Sequence, residues 1–306
     1  MAVMMCHYLE SNSNRYVLER MKSVMLRTVK TLAYQLKNST FMPERYEYSF
    51  VREQSLGKIN LGLNEEEKIY LKGKIDRLDV SRQDDKVLVK IVDYKSGNKD
   101  FSLMSFYHGL QLQMVVYMNE AVRTAKMKEP DKEVVPAALL YYHIDDPLVD
   151  ADSTDSDEAI EDKIVKELRT KGIVNDDSLV IDNLDTALNG ASDVIPVKRN
   201  KNGSLSANSH AYSESDLRLM MEYADKKILS IASQMMDGDI SLNPIEIMKT
   251  DRGVEVSSCE YCNYKNVCGF DPHMPGNKVT VYEKQSDEDL LNAMRNELEA
   301  GGIANA

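Results

Sequence analysis

At 306 residues, 42% apolar and 29% charged, the chain is long enough to bury a sizeable core and too apolar to be a disordered segment. No apolar run reaches about 18 residues, which excludes a membrane-spanning helix. The opening MAVMMCHYLESNSNRY has no basic stretch leading into an apolar one, so it does not read as a secretory signal and the expected compartment is cytoplasmic. The net charge of −12 argues at first against a nucleic-acid partner, but nine acids and no base fall between Asp145 and Asp162, and the rest of the chain carries only −3.

In chain order, apolar residues at Val17, Met21, Val24, Met25, Val29, Leu32 and Leu36 have helical spacing, with Lys and Arg on the other face, and predict a helix over 15–37. Pro43 breaks it, because the residue before a proline disfavours helix. RYEYSFV (45–51) predicts a strand. A Gly- and Asn-containing stretch (55–67) leads to KIYLKGKIDRLDV (68–80), the polar turn SRQDD and KVLVKIVDYK (86–95), which together predict an antiparallel hairpin. A helix is predicted over 105–126 and a buried strand over 134–144. The fold class is therefore α/β (α+β), with a core over 13–145 preceded by a short segment, 1–12. An acidic linker and insertion (146–212) follows, with one short helix near 157–170. A helix from about 213 to 236, opened by a capping-box-like SESD, leads into a cysteine-bearing region ending near 280, and 281–306 reads as a polar tail. No GxxxxGK[ST] phosphate loop is present.

The hairpin carries chemistry. With the turn between Asp84 and Asp85, Asp76 faces Asp93, their Cβ atoms about 4.5–5.5 Å apart. Lys95, two residues beyond Asp93, shares that face. The same register pairs Leu78 with Ile91 and Val80 with Val89, and on the other face Asp79 with Lys90. Directly opposed carboxylates need a compensating cation. A salt bridge to Lys95 would supply one. So would Mg²⁺, which takes a few carboxylate oxygens and keeps waters that leave room for a phosphate. A lysine beside such an ion can orient water and stabilise charge on phosphorus.

GKID (73–76), IVDYKS (91–96) and QMVVY (113–117), in that order, resemble the G-x-x-D, D-Y-K and Q-x-x-x-Y motifs of the RecB-like PD-(D/E)XK nucleases. The resemblance implies a restriction-endonuclease-like core of helix, three-stranded antiparallel meander, helix and strand. It implies Asp76 and Asp93 as Mg²⁺ ligands, Lys95 as catalytic, and Gln113 and Tyr117 lining the site; these last two are four apart and so on one helix face. Gln111 is a second candidate for the glutamine. Glu47, on the preceding strand, stands where related nucleases often carry an acid near the metal, and a solvated strand glutamate reads the same way.

Cys259, Cys262 and Cys268 make C-x₂-C-x₅-C in a chain of four cysteines, a density suited to zinc or an iron–sulfur cluster. The spacing resembles iron–sulfur nucleases, Cas4-like exonucleases and the AddB family of bacterial AddAB helicase–nucleases among them, which implies a [4Fe-4S] cluster completed by an upstream cysteine. Cys6 is the only other cysteine, but in the AddB family that residue precedes a longer segment than the one here. The alternatives are no fourth ligand, one from another chain, or His273, which would make a Cys₃His Zn²⁺ site. The resemblance to the C-terminal region of AddB extends over about 11–280. It implies a nuclease domain of a longer or split subunit that acts on one DNA strand at a duplex end, with an AddA-type helicase–nuclease subunit as partner and no membrane. A stand-alone Cas4-like exonuclease and a catalytically weak DNA-end-binding module are the competing readings.

Overall fold

The computed structural model describes residues 11–55, 68–97, 100–152, 154–249, 253–260 and 262–300. Cys6 and most of the Gly- and Asn-containing stretch lie outside these. The described residues fall into two compact units. The first comprises 1–48, 75–100 and 124–214, and the second 49–74, 101–123 and 215–306.

The first unit is built on a mixed sheet of strand order β1 (Met42–Ser55), β2 (Lys68–Arg82), β3 (Lys86–Lys95), β4 (Glu133–His143), β5 (Lys171–Asn175) and β6 (Ala211–Tyr212), with β1 and β2 crossing the boundary at 48/49 and 74/75. The hairpin has the register read from the sequence: Leu78 is opposite Ile91, Asp79 opposite Lys90 and Val80 opposite Val89. β4 runs parallel to β3, so β3 is buried along most of its length on both faces, and its near-continuous apolar run follows from that. One face holds a core of Phe41, Leu88, Val92, Leu140, Tyr142, Val174 and Ile181, against which Leu32 of α1 (Asn12–Lys37) packs.

One expectation for this unit is corrected, that for the segment 146–212. The helix α1 forms, but Val17, Met21, Met25 and Val29 are exposed and its buried residues are Thr31 and Gln35. Periodicity announces a helix; which stripe is covered depends on what packs against it. The segment 146–212 is more than an acidic linker with a helix. Besides α4, observed at Asp157–Glu167 and capped by the Ser156 side chain, it contributes β5, β6 and a further helix, α5 (Ser178–Leu184), whose Val180, Ile181 and Leu184 join the core. Its acids are partly neutralised within the unit, Asp146 by Arg27 and Arg20 and Asp155 by Lys163.

Between β3 and β4 the predicted single helix is two, α2 (Leu103–Tyr107) and α3 (Gln113–Lys128). In the second unit, α6 (Glu214–Met236) begins within a residue of expectation. A small sheet follows, with β7 (Ile245–Met248) between β8 (Val254–Ser257) and β9 (Thr280–Tyr282), and a short helix α7 (Lys265–Cys268). The polar tail holds a helix, α8 (Asp287–Glu299), which buries Leu290, Leu291 and Met294. It is capped by Ser286 and carries three acids in its first turn, where the helix dipole favours them. Tyr107 stacks on Tyr223 at 5.7 Å, and both hydroxyls donate to Glu297 of α8.

Candidate functional site

Opposed strands place the two aspartates. The β2–β3 ladder pairs Arg77 with Val92, and Asp76 and Asp93 stand one residue further along. Asp76 is half-buried and accepts a hydrogen bond from the backbone N–H of Tyr94 at 2.9 Å, which anchors its carboxylate at the β3 backbone. Asp93 is buried, and its Oδ2 lies 2.5 Å from Nζ of Lys95, whose side chain is 26% exposed. The three groups share a face because strand side chains alternate. Beside them Asp93 is in register with Tyr141 of β4, and Lys95 with His143. The Tyr141 ring centroid is 6.0 Å from the Lys95 ammonium. Burial, with the charges of Asp93 and Asp100 nearby, pushes the Tyr141 phenol well above its ordinary value. Sequence reasoning missed Tyr141, because its place beside Asp93 depends on the parallel pairing of β4 with β3, which the apolar run does not announce.

The opposite face of the hairpin holds more than the expected cross-strand pair. Asp79, fully buried, accepts two hydrogen bonds from Arg77, at 2.9 and 2.8 Å, and pairs with Lys90 at 3.1 Å. Arg77 also donates to the Tyr94 hydroxyl at 3.1 Å, and the Lys90 ammonium lies 4.8 Å from the Phe41 ring centroid. Burial pushes the Lys90 ammonium down despite Asp79. Asp76 and Asp79, three residues apart, thus have separate surroundings, one at the site and one in the core.

Gln113 and Tyr117 belong to the second unit. Gln113, exposed at the first turn of α3, donates to the Tyr117 hydroxyl at 3.0 Å. The Tyr117 ring packs edge-on against Phe50, centroids 5.8 Å apart. Both rings lie over Gly73: a Cβ there would sit 2.5 Å from Phe50 carbons and 2.8 Å from Tyr117 Cε1. The glycine of the G-x-x-D motif therefore has a packing reason. Gln111, the second candidate, precedes α3, and its side chain accepts from the Ser102 backbone at 3.0 Å. Glu47 is exposed in β1 with φ of +50°, a left-handed conformation uncommon outside glycine.

Of the cysteines, Cys259 is half-buried after β8, and Cys262 and Cys268 are exposed, all three as free thiols. They suit a soft metal or cluster in kind but are one donor short of four. Among the described residues, no three His, Cys, Asp or Glu side chains are gathered as a metal centre, and the His273 ring is bonded to Asp271 at 3.0 Å. As arranged, the described thiols do not by themselves make the centre. The two aspartates do suit Mg²⁺, which needs only one or two protein carboxylates.

The profile of the PD-(D/E)XK nuclease superfamily matches residues 3–269. The chain belongs to the PD-(D/E)XK nuclease superfamily. By that membership it carries a metal-dependent nuclease domain on a mixed α/β fold. It is similar to curated AddB proteins, each named as a subunit of an ATP-dependent helicase/deoxyribonuclease. That of Clostridium novyi (strain NT) is 35% identical over 92% of this chain and 24% of the relative. That of Thermoanaerobacter sp. (strain X514) is 32% identical over 97% of this chain and 25% of the relative. That of Acetivibrio thermocellus is 34% identical over 92% and 24%. The chain thus spans about a quarter of the length of these relatives. No described helix is long and apolar enough to cross a membrane.

Proposed function

We propose that this chain is the nuclease domain of an AddB-type subunit, cutting one strand of DNA in a Mg²⁺-dependent reaction while an AddA-type helicase–nuclease partner unwinds the duplex for recombination repair of broken ends. One observation carries the catalytic part: a buried and a half-buried aspartate from adjacent strands stand with a lysine on one sheet face, inside a nuclease-superfamily chain. The helicase and the DNA substrate come from the relatives' names.

In this reading Asp76 and Asp93 would hold Mg²⁺, which would neutralise charge on the phosphate. The Tyr94 N–H fixes one Asp76 oxygen and leaves the other for the ion. Lys95, steered by Asp93, holds the attacking water and donates to a phosphate oxygen as negative charge builds there. Water adds to phosphorus, the P–O ester bond breaks, and the products are a phosphate monoester and an alcohol. Gln113 and Tyr117 are assigned to the substrate by motif order, and Glu47 as an accessory acid. The three clustered thiols, with a fourth donor, are assigned to an iron–sulfur cluster that takes no part in the chemical step. The test is cleavage of an end-labelled single strand in Mg²⁺: Lys95→Ala should lose at least about 100-fold in rate with its unfolding curve unchanged. Equal rates for the two proteins would refute the assignment.

A further inference from the structure

β4 and β5 carry the row of the site onward. Asp93 is in register with Tyr141, and Tyr141 with Lys171 of β5, so Lys171 stands two strands, about 10 Å, from Asp93. At that position the first unit has a cleft of about 330 Å³. Lys166, Arg169, Lys171 and His210 line it, together with Asp100 and Glu167. Lys166 lies in the last turn of α4, Arg169 follows the helix and Lys171 opens β5, so three cations fall within six residues.

These three fall together in one cleft. Most other cations of this unit are committed to carboxylates, as in Arg27 with Asp146, Arg82 with Glu44, Lys86 with Glu133, Lys128 with Glu44, Lys163 with Asp155 and Arg199 with Asp182. Among the described residues, Lys166, Arg169 and Lys171 form no ion pair, although Glu167 and Asp100 line the same cleft. In a chain of net charge −12, three cations against two acids leave the cleft lining with a net positive charge of one.

We infer that the cleft lined by Lys166, Arg169 and Lys171 binds backbone phosphates of the single strand whose scissile phosphate lies at Asp76, Asp93 and Lys95. The inference rests on the nuclease reading above and gives it a direction: the strand crosses the sheet from β3 over β4 to β5. Such contacts position the strand and carry no base information, so binding is indifferent to sequence. His210, which also lines the cleft, adds a donor.

The test uses the full chain and a fluorescein-labelled oligothymidylate in a metal-free buffer with EDTA, so that binding is read without cleavage. Fluorescence anisotropy is followed against salt for wild type, for Lys166→Gln/Arg169→Gln/Lys171→Gln, and for a control with equal charge loss, Lys22→Gln/Lys37→Gln/Lys201→Gln. Each lost phosphate contact lowers the slope of log K against log salt by about 0.7 for a single strand. The cleft variant should therefore lose about 2 in slope and bind at least tenfold more weakly at moderate salt, with the control like wild type. Lys166→Arg/Lys171→Arg should keep the wild-type slope, which separates charge from folding. Equal slopes for cleft variant and wild type, or equal losses in cleft variant and control, would overturn the cleft. A separate Mg²⁺ cleavage assay keeps the two readings apart. Wild type that cleaves while the cleft variant binds normally sinks only the cleft, whereas wild type that binds without cleaving in Mg²⁺ sinks the catalytic reading.

Discussion

Gly73→Ala is the substitution whose cost follows most directly from the geometry. Carbon atoms pack at about 3.5–4.0 Å. An alanine Cβ at this position would stand 2.5 Å from two carbons of Phe50 and 2.8 Å from Tyr117 Cε1. At least one ring must retreat by about 1 Å, and Phe50 is only 6% exposed, so it has little room to do so. Overpacking of this kind costs about 1–3 kcal/mol. The assay is urea unfolding, where the midpoint should fall with the m-value unchanged. Because Tyr117, the other ring in the clash, accepts the hydrogen bond from Gln113, its displacement should lower cleavage as well. A double-mutant cycle with Phe50→Leu isolates the clash: the double mutant should be more stable than the two single changes summed would allow, by at least about 0.5 kcal/mol. An unchanged midpoint in Gly73→Ala, or strict additivity in the cycle, would refute the packing argument.

Three other outcomes are expected. Asp79→Ala leaves Arg77 and Lys90 as buried unpaired cations and should destabilise the first unit by about 3–5 kcal/mol in urea unfolding, far more than a change at an exposed acid such as Asp182. Burial, with the Lys227 charge as the smaller cause, pushes His108 down to about 4 from its ordinary 6.5. The unfolded chain therefore takes up this proton first, and stability present above pH 6.5 is lost as pH falls towards 4, by up to about 3 kcal/mol. His108→Phe, which keeps a ring to stack on Tyr282, should remove that component of the slope, and parallel pH–stability curves for the two proteins would contradict it. Anaerobically purified protein should contain iron and acid-labile sulfide, lost together in Cys262→Ser; stoichiometric zinc instead would overturn the cluster.

The parts of the molecule legible in the sequence were those set by local rules. A short polar turn and strict alternation are enough to put Asp79 opposite Lys90 and Asp76 beside Asp93, the register that the hairpin has. The four-residue spacing of Gln113 and Tyr117 put them on one face of α3, where the two side chains are hydrogen-bonded. What escaped was set by tertiary contact. Nothing in the spacing of Val17, Met21 and Met25 says that this stripe of α1 is uncovered. The helix read across 105–126 is interrupted after Tyr107, where Gly109 has φ of +81°, while apolar residues on both sides of the break keep helical spacing. β5 and β6 have five and two residues, too short for a periodicity, and find their place only by pairing with β4 and with each other. α8 is polar on average, and three buried side chains are enough to seat it.

Metal binding by the aspartate pair is the most direct measure of the catalytic proposal. Mn²⁺, a spectroscopic stand-in for Mg²⁺, can be titrated into wild type, Asp76→Ala, Asp93→Ala and Lys95→Ala and the free ion followed by electron paramagnetic resonance. One bound ion is expected in wild type and in Lys95→Ala, and its loss when either aspartate is removed. Undiminished binding in both aspartate variants would contradict the assignment of the pair as the metal site.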